Sequence, residues 1–315
     1  MDFVDILLAT YNGDEYLMEL LKSLEYQTYT NWRLIVADDG SLDSTLDILR
    51  KFQSDSSHEV EIHVNQPATG SAKANFIQLF QYVKSPYIML CDQDDVWLQD
   101  KIEKTYRKML EVECSNPKRI PILVNTDLIV VDQDLAVMDN SFFHYSLFNK
   151  SFTLKQQLCM NKVTGCTVMV NHSLVRFLQR EAFDVGKITM HDSWLALIAL
   201  TFGCTGFVDE PLILYRQHED NSVGAQAARD IHYQLKRFFS GNLLSQDFMA
   251  QIIQVEYFVE YYHDELKNNQ NQALLEGYAA LANRSRSAYR LYCIKNGILK
   301  YPFKRAFAQL LYAHK

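Results

Sequence analysis

Three carboxylates, Asp92, Asp94 and Asp95, follow directly on an apolar run from Tyr87 to Cys91. A run of that length with an abrupt polar stop reads as a buried strand. The carboxylates then stand together just past its C-terminal end, which is where ligands bind in an open α/β sheet. Carboxylates gathered in one place repel one another unless something neutralises them. A hard divalent cation with oxygen ligands, carrying a phosphorylated substrate, would do so. Taken alone, the same aspartates serve equally well as helix caps in a polar loop, so the surrounding elements have to separate the two readings.

Those elements alternate. Phe3 to Ala9 and Trp32 to Ala37 are runs like the one before Asp92, and Val60 to Val64 reads as a third strand. Between them, Tyr16, Leu17, Leu20, Leu21 and Leu24 recur at helical spacing, as do Leu42, Leu46, Leu49 and Phe52, and 71–83 reads as a third helix. Strand and helix in turn, joined by short loops, predict an α/β fold with a parallel sheet and helices on both faces. The polar loops 10–15, 38–41 and 92–95 should then gather on one edge. Beyond them the spacing predicts a helix over 100–114, a long strand over 120–131, a strand over 165–170, a helix over 193–202 and a last strand over 212–216. After Gly224 the pattern is helical only, with Phe248, Ile252, Val255, Val259, Tyr262 and Leu266 as one stripe. The boundary is expected at 223–228.

Composition narrows the function. The chain has 315 residues, 48% hydrophobic and 12% aromatic, enough for a sizeable core. A net charge of -7 argues against nucleic acid as the main partner. Eight of the 31 Lys and Arg lie in 284–315, which has no Asp or Glu, so residues 1–283 hold 23 against all 38 acidic side chains. The body is acidic and the tail basic. Six cysteines without metal-like spacing predict reduced thiols and a cytoplasmic setting. The start, Met1-Asp2-Phe3-Val4-Asp5, carries no basic n-region of a signal peptide. The longest apolar stretch, Trp194 to Val208, falls short of the roughly 20 residues of a membrane span. Any membrane contact is therefore expected to be peripheral. Arg284, Arg286, Arg290, Lys295, Lys300, Lys304 and Arg305, interleaved with Tyr289, Tyr292, Tyr301 and Phe303, suit the inner face of an anionic membrane or a contact with a second copy, as a homodimer.

Four segments together resemble a family 2 glycosyltransferase of the GT-A fold: Leu8-Ala9-Thr10-Tyr11-Asn12 with Glu15, Val36 to Ser41, Asn65 to Asn75 around Gly70, and Asp92-Gln93-Asp94-Asp95. The likeness covers about residues 1–220. Cys91 to Trp97, Thr164-Gly165-Cys166-Thr167 and Tyr215 to Asn221 look more narrowly like bacterial rhamnosyltransferases of surface polysaccharide synthesis. The resemblance implies a catalytic domain over 1–224 with a mixed, mainly parallel sheet, nucleotide-binding over about 1–115 and acceptor-binding over about 116–224, followed by a helical region over 225–315. It implies a metal-dependent, inverting transfer from a UDP- or dTDP-linked sugar, dTDP-rhamnose among them, to a glycan or polyprenyl-linked hydroxyl. A UDP-Glc, UDP-Gal or UDP-GlcNAc donor is the alternative. A sugar nucleotidyltransferase ranks lower, because residues 9–15 lack a Gly-rich, Arg-containing phosphate loop, and so does a non-catalytic nucleotide-sugar-binding module.

Residue by residue, the resemblance assigns Thr10, Tyr11 and Asn12 to the base pocket. Tyr11 offers a ring face to a pyrimidine, and Asp38 can accept its imide N–H. Glu15, Asp39, Gly70, Lys73 and Asn75 are further nucleotide-side residues, with Asn75 either structural or ribose-facing. Asp92 would meet the ribose or a metal-bound water, Asp94 or Asp95 would ligate Mg or Mn, and His218 would be a further ligand or a phosphate contact. Asp192, at a helix start, is the expected general base. Trp97, Thr164, Gly165, His191 and Trp194 are expected on the acceptor side.

Overall fold

The computed structural model describes residues 2–117, 119–179, 183–218 and 241–312. Each of the first four expected strands forms: β1 (Val4–Thr10), β2 (Trp32–Asp38), β3 (Val60–Val64) and β4 (Tyr87–Asp92). They alternate with α1 (Asp14–Glu25), α2 (Thr45–Asp55) and α3 (Ala72–Leu79). There follow β5 (Val96–Trp97), α4 (Lys101–Cys114), β6 (Ile122–Val131), β7 (Val137–Asp139), α5 (Phe142–Tyr145), α6 (Leu154–Gln157), β8 (Met169–Asn171), α7 (His172–Leu178), α8 (His191–Phe202) and β9 (Cys204–Arg216). The remaining helices are α9 (Gly241–Tyr261), α10 (His263–Leu266), α11 (Gln272–Ala279), α12 (Arg286–Asn296) and α13 (Phe303–Tyr312).

Among the described residues one nine-stranded sheet runs in the order β3-β2-β1-β4-β8-β6-β9-β5, with β7 paired to β6. β3, β2, β1 and β4 are mutually parallel, as are β6 and β9, while β8 and β5 run antiparallel to their neighbours. This is the mixed, mainly parallel sheet expected. The register sets Thr10 opposite Asp38 and Ala9 opposite Asp92, so the first polar loops do share one edge.

Two local expectations are corrected. Residues 165–170 are not one strand: Gly165–Thr167 is a 3-10 turn, and only Met169–Asn171 pairs. The last strand begins at Cys204 rather than 212. Its register against β6 jumps between Val208 and Pro211, so Asp209 and Glu210 bulge out and break the apolar pattern that would have revealed it.

The chain divides into two compact units, 1–142 with 163–183 and 203–225, and 143–162 with 184–202 and 226–315. The sequence-based division at 224 follows chain order, whereas the units follow contacts. The expected boundary itself lies outside the described residues. The whole sheet belongs to the first unit. In the second, α8 is buried nearly all round, and Trp194 lies among Tyr257, Phe258, Tyr261 and Tyr262. Such an all-apolar helix is stable only inside a layer of others.

At the heart of the sheet, Asp5 of β1 faces Arg33 of β2. Arg33 donates Nε to Asp5 Oδ1 at 2.7 Å and Nη2 to Oδ2 at 3.0 Å, and both side chains are buried. Lys84 N and Ser85 N also donate to the carboxylate, tying the start of β4 to β1. Burial pushes this carboxyl up, but the Arg33 fork and the Ser85 and Lys84 bonds outweigh it and leave it below the ordinary 3.8. Asp5→Ala, which strands a buried guanidinium, should cost about 3–5 kcal/mol in urea denaturation. The native pair's contribution is complete above about pH 4 and is lost as pH falls through the lowered folded value. Acid unfolding of the parent should therefore show a component that Asp5→Ala lacks.

Candidate active site

The acidic turn after β4 is held from behind by Arg216, the last residue of β9. Its guanidinium is buried and donates Nε to Asp94 O at 2.9 Å, while its backbone N–H donates to Asp95 Oδ1 at 3.2 Å. It also pairs with Glu19 of α1, donates to Gln133 O, and lies 4.3 Å from the Tyr16 ring centroid. Sequence reasoning quoted Arg216 in a motif without giving it a task. The signal was there: a cation closing an apolar strand must find partners when buried.

Asp94 and His218 come together on the open side of this turn, with Nε2 2.8 Å from Oδ2 and both side chains partly exposed. The His218 ring also packs by Tyr16, at 5.1 Å between centroids. Asp92 is half-buried at the end of β4. Asp95 differs. It is fully buried, and burial together with the Asp94 and Asp92 charges pushes its carboxyl well above the usual range. Asp92, Asp95 and Cys166 each bring a donor atom within 4.8 Å of the others. Burial also pushes the Cys166 thiol well up, so it stays protonated and is a poor ligand for a hard cation. The donor chemistry fits Mg or Mn best at Asp94 and His218, with Asp92 two positions before Asp94. Asp95, expected as an alternative ligand, is instead buried within the turn.

Lys101 was missed altogether. It is fully buried in the first turn of α4, with Nζ 3.7 Å from the Trp97 ring centroid and, among the described residues, no hydrogen-bond partner. Burial lowers its ammonium to about 8, against the pull of Cys166, Cys91, Asp95 and Asp92. A cation at a helix N-terminus opposes the helix dipole, and that anomaly was readable in advance.

On the nucleotide side, Tyr11 is 55% exposed, with its backbone clamped by Gln93. Tyr11 N donates to Gln93 Oε1 at 2.9 Å, and Gln93 Nε2 donates to Tyr11 O at 3.0 Å. A Cβ at Gly13 would meet Gln93 Oε1 at 2.4 Å, so a glycine there makes room for the clamp. Asn12 sits at φ +44° and accepts Leu42 N, while Ser41 Oγ accepts Asn12 N. Glu15 is exposed in the first turn of α1.

Asp38 is fully buried and accepts four bonds, from Thr10 Oγ1, Gly40 N, Ser41 N and Ser41 Oγ. A base imide would have to compete with Ser41 or Thr10 for this carboxylate. Asp39 is buried and accepts Asn65 Nδ2, Thr69 N, Thr69 Oγ1 and Gly70 N. Burial raises its carboxyl, but these bonds win and hold it below 3.8. It therefore positions the 65–70 loop. Gly70 has φ +73°, a backbone state that a side chain strains, while a Cβ there would meet nothing within 4 Å. Asn75 donates to Ala37 O and accepts Asn65 Nδ2, which makes it structural rather than ribose-facing. Lys73 is half-buried in the first turn of α3.

The acceptor-side expectations divide. Thr164 and Gly165 lead into the turn that carries Cys166. Trp97 and Trp194 are core residues, 2% and 0% exposed, with Lys101 over one ring and tyrosines and phenylalanines around the other. Neither offers a face to an acceptor. His191 is buried too, and burial lowers its imidazole to about 3, so it is neutral. Asp192 lies in the first turn of α8, where Oδ1 accepts Asn161 Nδ2 at 3.0 Å and Ser193 N at 2.5 Å.

A family model described as "Glycosyl transferase family 2" matches residues 5–178. The chain is 27% identical over 241 residues to the dTDP-rhamnosyl transferase RfbG of Shigella flexneri, covering 72% of this chain and 76% of that protein. It is 26% identical over 215 residues to the UDP-Glc:alpha-D-GlcNAc-diphosphoundecaprenol beta-1,3-glucosyltransferase WfgD of Escherichia coli, covering 65% and 76%. The crystal structure of S. aureus TarS 1-349 with UDP-GlcNAc superposes with a TM-score of 0.57 at 15% identity, over 96% of this chain and 77% of that one. That likeness extends to the fold.

Arg216→Lys keeps the charge and loses the fork that spans Asp94 and Glu19. Stability should fall by about 1–3 kcal/mol.

Proposed function

The chain belongs to glycosyl transferase family 2, and on that footing we propose that it moves a sugar from a pyrimidine nucleoside diphosphate to a hydroxyl of a lipid-linked glycan in bacterial surface polysaccharide synthesis. dTDP-rhamnose is the first donor to test and a UDP-hexose the second, the donors named for RfbG and WfgD. The observation that carries this reading is the open Tyr11 ring, clamped by Gln93 into the same turn that presents Asp94 and His218. One turn thus offers a stacking face for a base and a donor pair for a phosphate-bound cation.

Tyr11 stacks on the base, and Thr10, Asn12 and Asp38 shape the wall beside it. Asp39 and Gly70 hold the 65–75 loop against the donor, with Lys73 as a point charge near phosphate. Asp94 and His218 hold Mg or Mn; when bound, the ion offsets charge on the diphosphate leaving group. The acceptor oxygen attacks the anomeric carbon as the bond to the diphosphate oxygen breaks on the opposite face, which inverts that centre. The acceptor proton passes to Asp192, whose carboxylate Asn161 and Ser193 N–H orient. Among the described residues no helix is long and apolar enough to cross a membrane. The reaction is assigned to the cytoplasmic side, where a polyprenyl-linked acceptor would lie at the membrane surface.

Thermal shift with dTDP-rhamnose, UDP-glucose and GDP-mannose, each with and without Mn, tests the donor class. A Mn-dependent shift is expected with pyrimidine donors; an equal shift with GDP-mannose would overturn the assignment. His218→Ala should raise the Mn concentration needed for half-maximal turnover while leaving metal-free UDP binding unchanged. Asp192→Asn should lower kcat by about 10²–10⁴-fold, with donor affinity unaltered. Unchanged kcat would remove Asp192 from the base role.

A further inference from the structure

The last two helices are built the wrong way round for a helix that faces only water. A surface helix normally turns its apolar stripe inward. In α13 the inward residues are Ala306 and the amide Gln309, whereas Phe303, Phe307 and Leu311, four residues apart on the opposite side, are 82%, 55% and 37% exposed. On α12, Tyr289 and Cys293 are buried while Leu291 and Ile294 are exposed. The two helices are fastened to each other. Arg290 donates to the carbonyls of Leu310 and Leu311, and Gln309 Nε2 donates to Ile298 O and Tyr289 Oη. The outward apolar side chains therefore ride on a rigid piece. This revises the sequence reading, in which Tyr289 and Tyr292 belonged to the exposed set: Tyr289 is buried and Tyr292 half-buried.

Charge identifies the occupant. Arg284, Arg286, Lys295 and Lys304 are exposed on this pair or just before it, and 284–315 contains no acidic residue. Two copies of such a surface would repel one another, whereas an anionic surface would be attracted. Large apolar side chains flanked by Lys and Arg suit the boundary between lipid headgroups and acyl chains.

We propose that α12 and α13 form a docking face for an anionic lipid leaflet, with Phe303, Phe307 and Leu311 entering the interface and Lys295 and Lys304 meeting headgroups. This stands apart from the proposed reaction and is tested without it. The full chain is sedimented with vesicles of phosphatidylcholine alone and of phosphatidylcholine mixed with phosphatidylglycerol. Binding is expected only to the mixed vesicles and should weaken in high salt. Lys295→Gln with Lys304→Gln should weaken it about 25-fold, at about fivefold per cation. Phe303→Ser with Phe307→Ser should weaken it at least about tenfold. Both variants should keep the parent's circular dichroism and melting temperature, since the replaced side chains point outward. The proposal fails if the folded parent ignores anionic vesicles, or if both variants bind them as the parent does. It fails equally if light scattering shows a parent dimer that Phe303→Ser with Phe307→Ser dissolves, which would make this face a self-contact.

Discussion

Like charges crowded at the end of one strand are the constraint around which this protein is arranged. Asp92, Asp94 and Asp95 fall within four consecutive positions, and their mutual repulsion would open the turn if water alone screened it. The chain answers with two buried cations from different directions. Arg216 comes from β9 with a fork of hydrogen bonds, and Lys101 comes from α4 with charge alone. Each reaches the turn only because β9 and β5 pair and α4 follows β5 directly. The sheet's far half thus exists, in part, to bring a guanidinium behind the acidic loop.

Burial sorts the carboxylates into two trades. Asp5, Asp38 and Asp39 are enclosed and saturated by donors from the chain, and they fix strands and loops. Asp95 is enclosed without such a full set, and its affinity for a proton rises. Asp92 and Asp94 remain half-open. A carboxylate already accepting several N–H groups has little left to offer a ligand. By this criterion Asp92, Asp94 and His218 keep the most capacity for a ligand at this turn.

The second unit follows a different logic. Its core is aromatic, built on Trp194 and the tyrosines and phenylalanine of α9, with Tyr262 just beyond it. Buried polar side chains there join separate elements, as Gln254 does between Thr189 and Ser193. That economy makes the exposed phenylalanines of α13 conspicuous. A unit that buries its aromatics elsewhere leaves these facing outward, where a lipid surface can take them.

The amino-acid order by itself determined the sheet's first half and the edge on which its first polar loops gather. Period-two and period-3.6 patterns are local, and a polar stop after a buried strand marks its end wherever the chain later goes. It also sufficed to single out the 10–15, 38–41 and 92–95 loops and the basic tail. What only the tertiary structure decided was which members of those sets remain available. Asp38 and Asp94 look alike in sequence, as do Trp97 and a stacking platform, or Tyr289 and Phe303. They part company because burial and hydrogen-bond saturation depend on partners such as Ser41, Lys101 and Gln309, whose approach is set by long-range packing that no local pattern encodes.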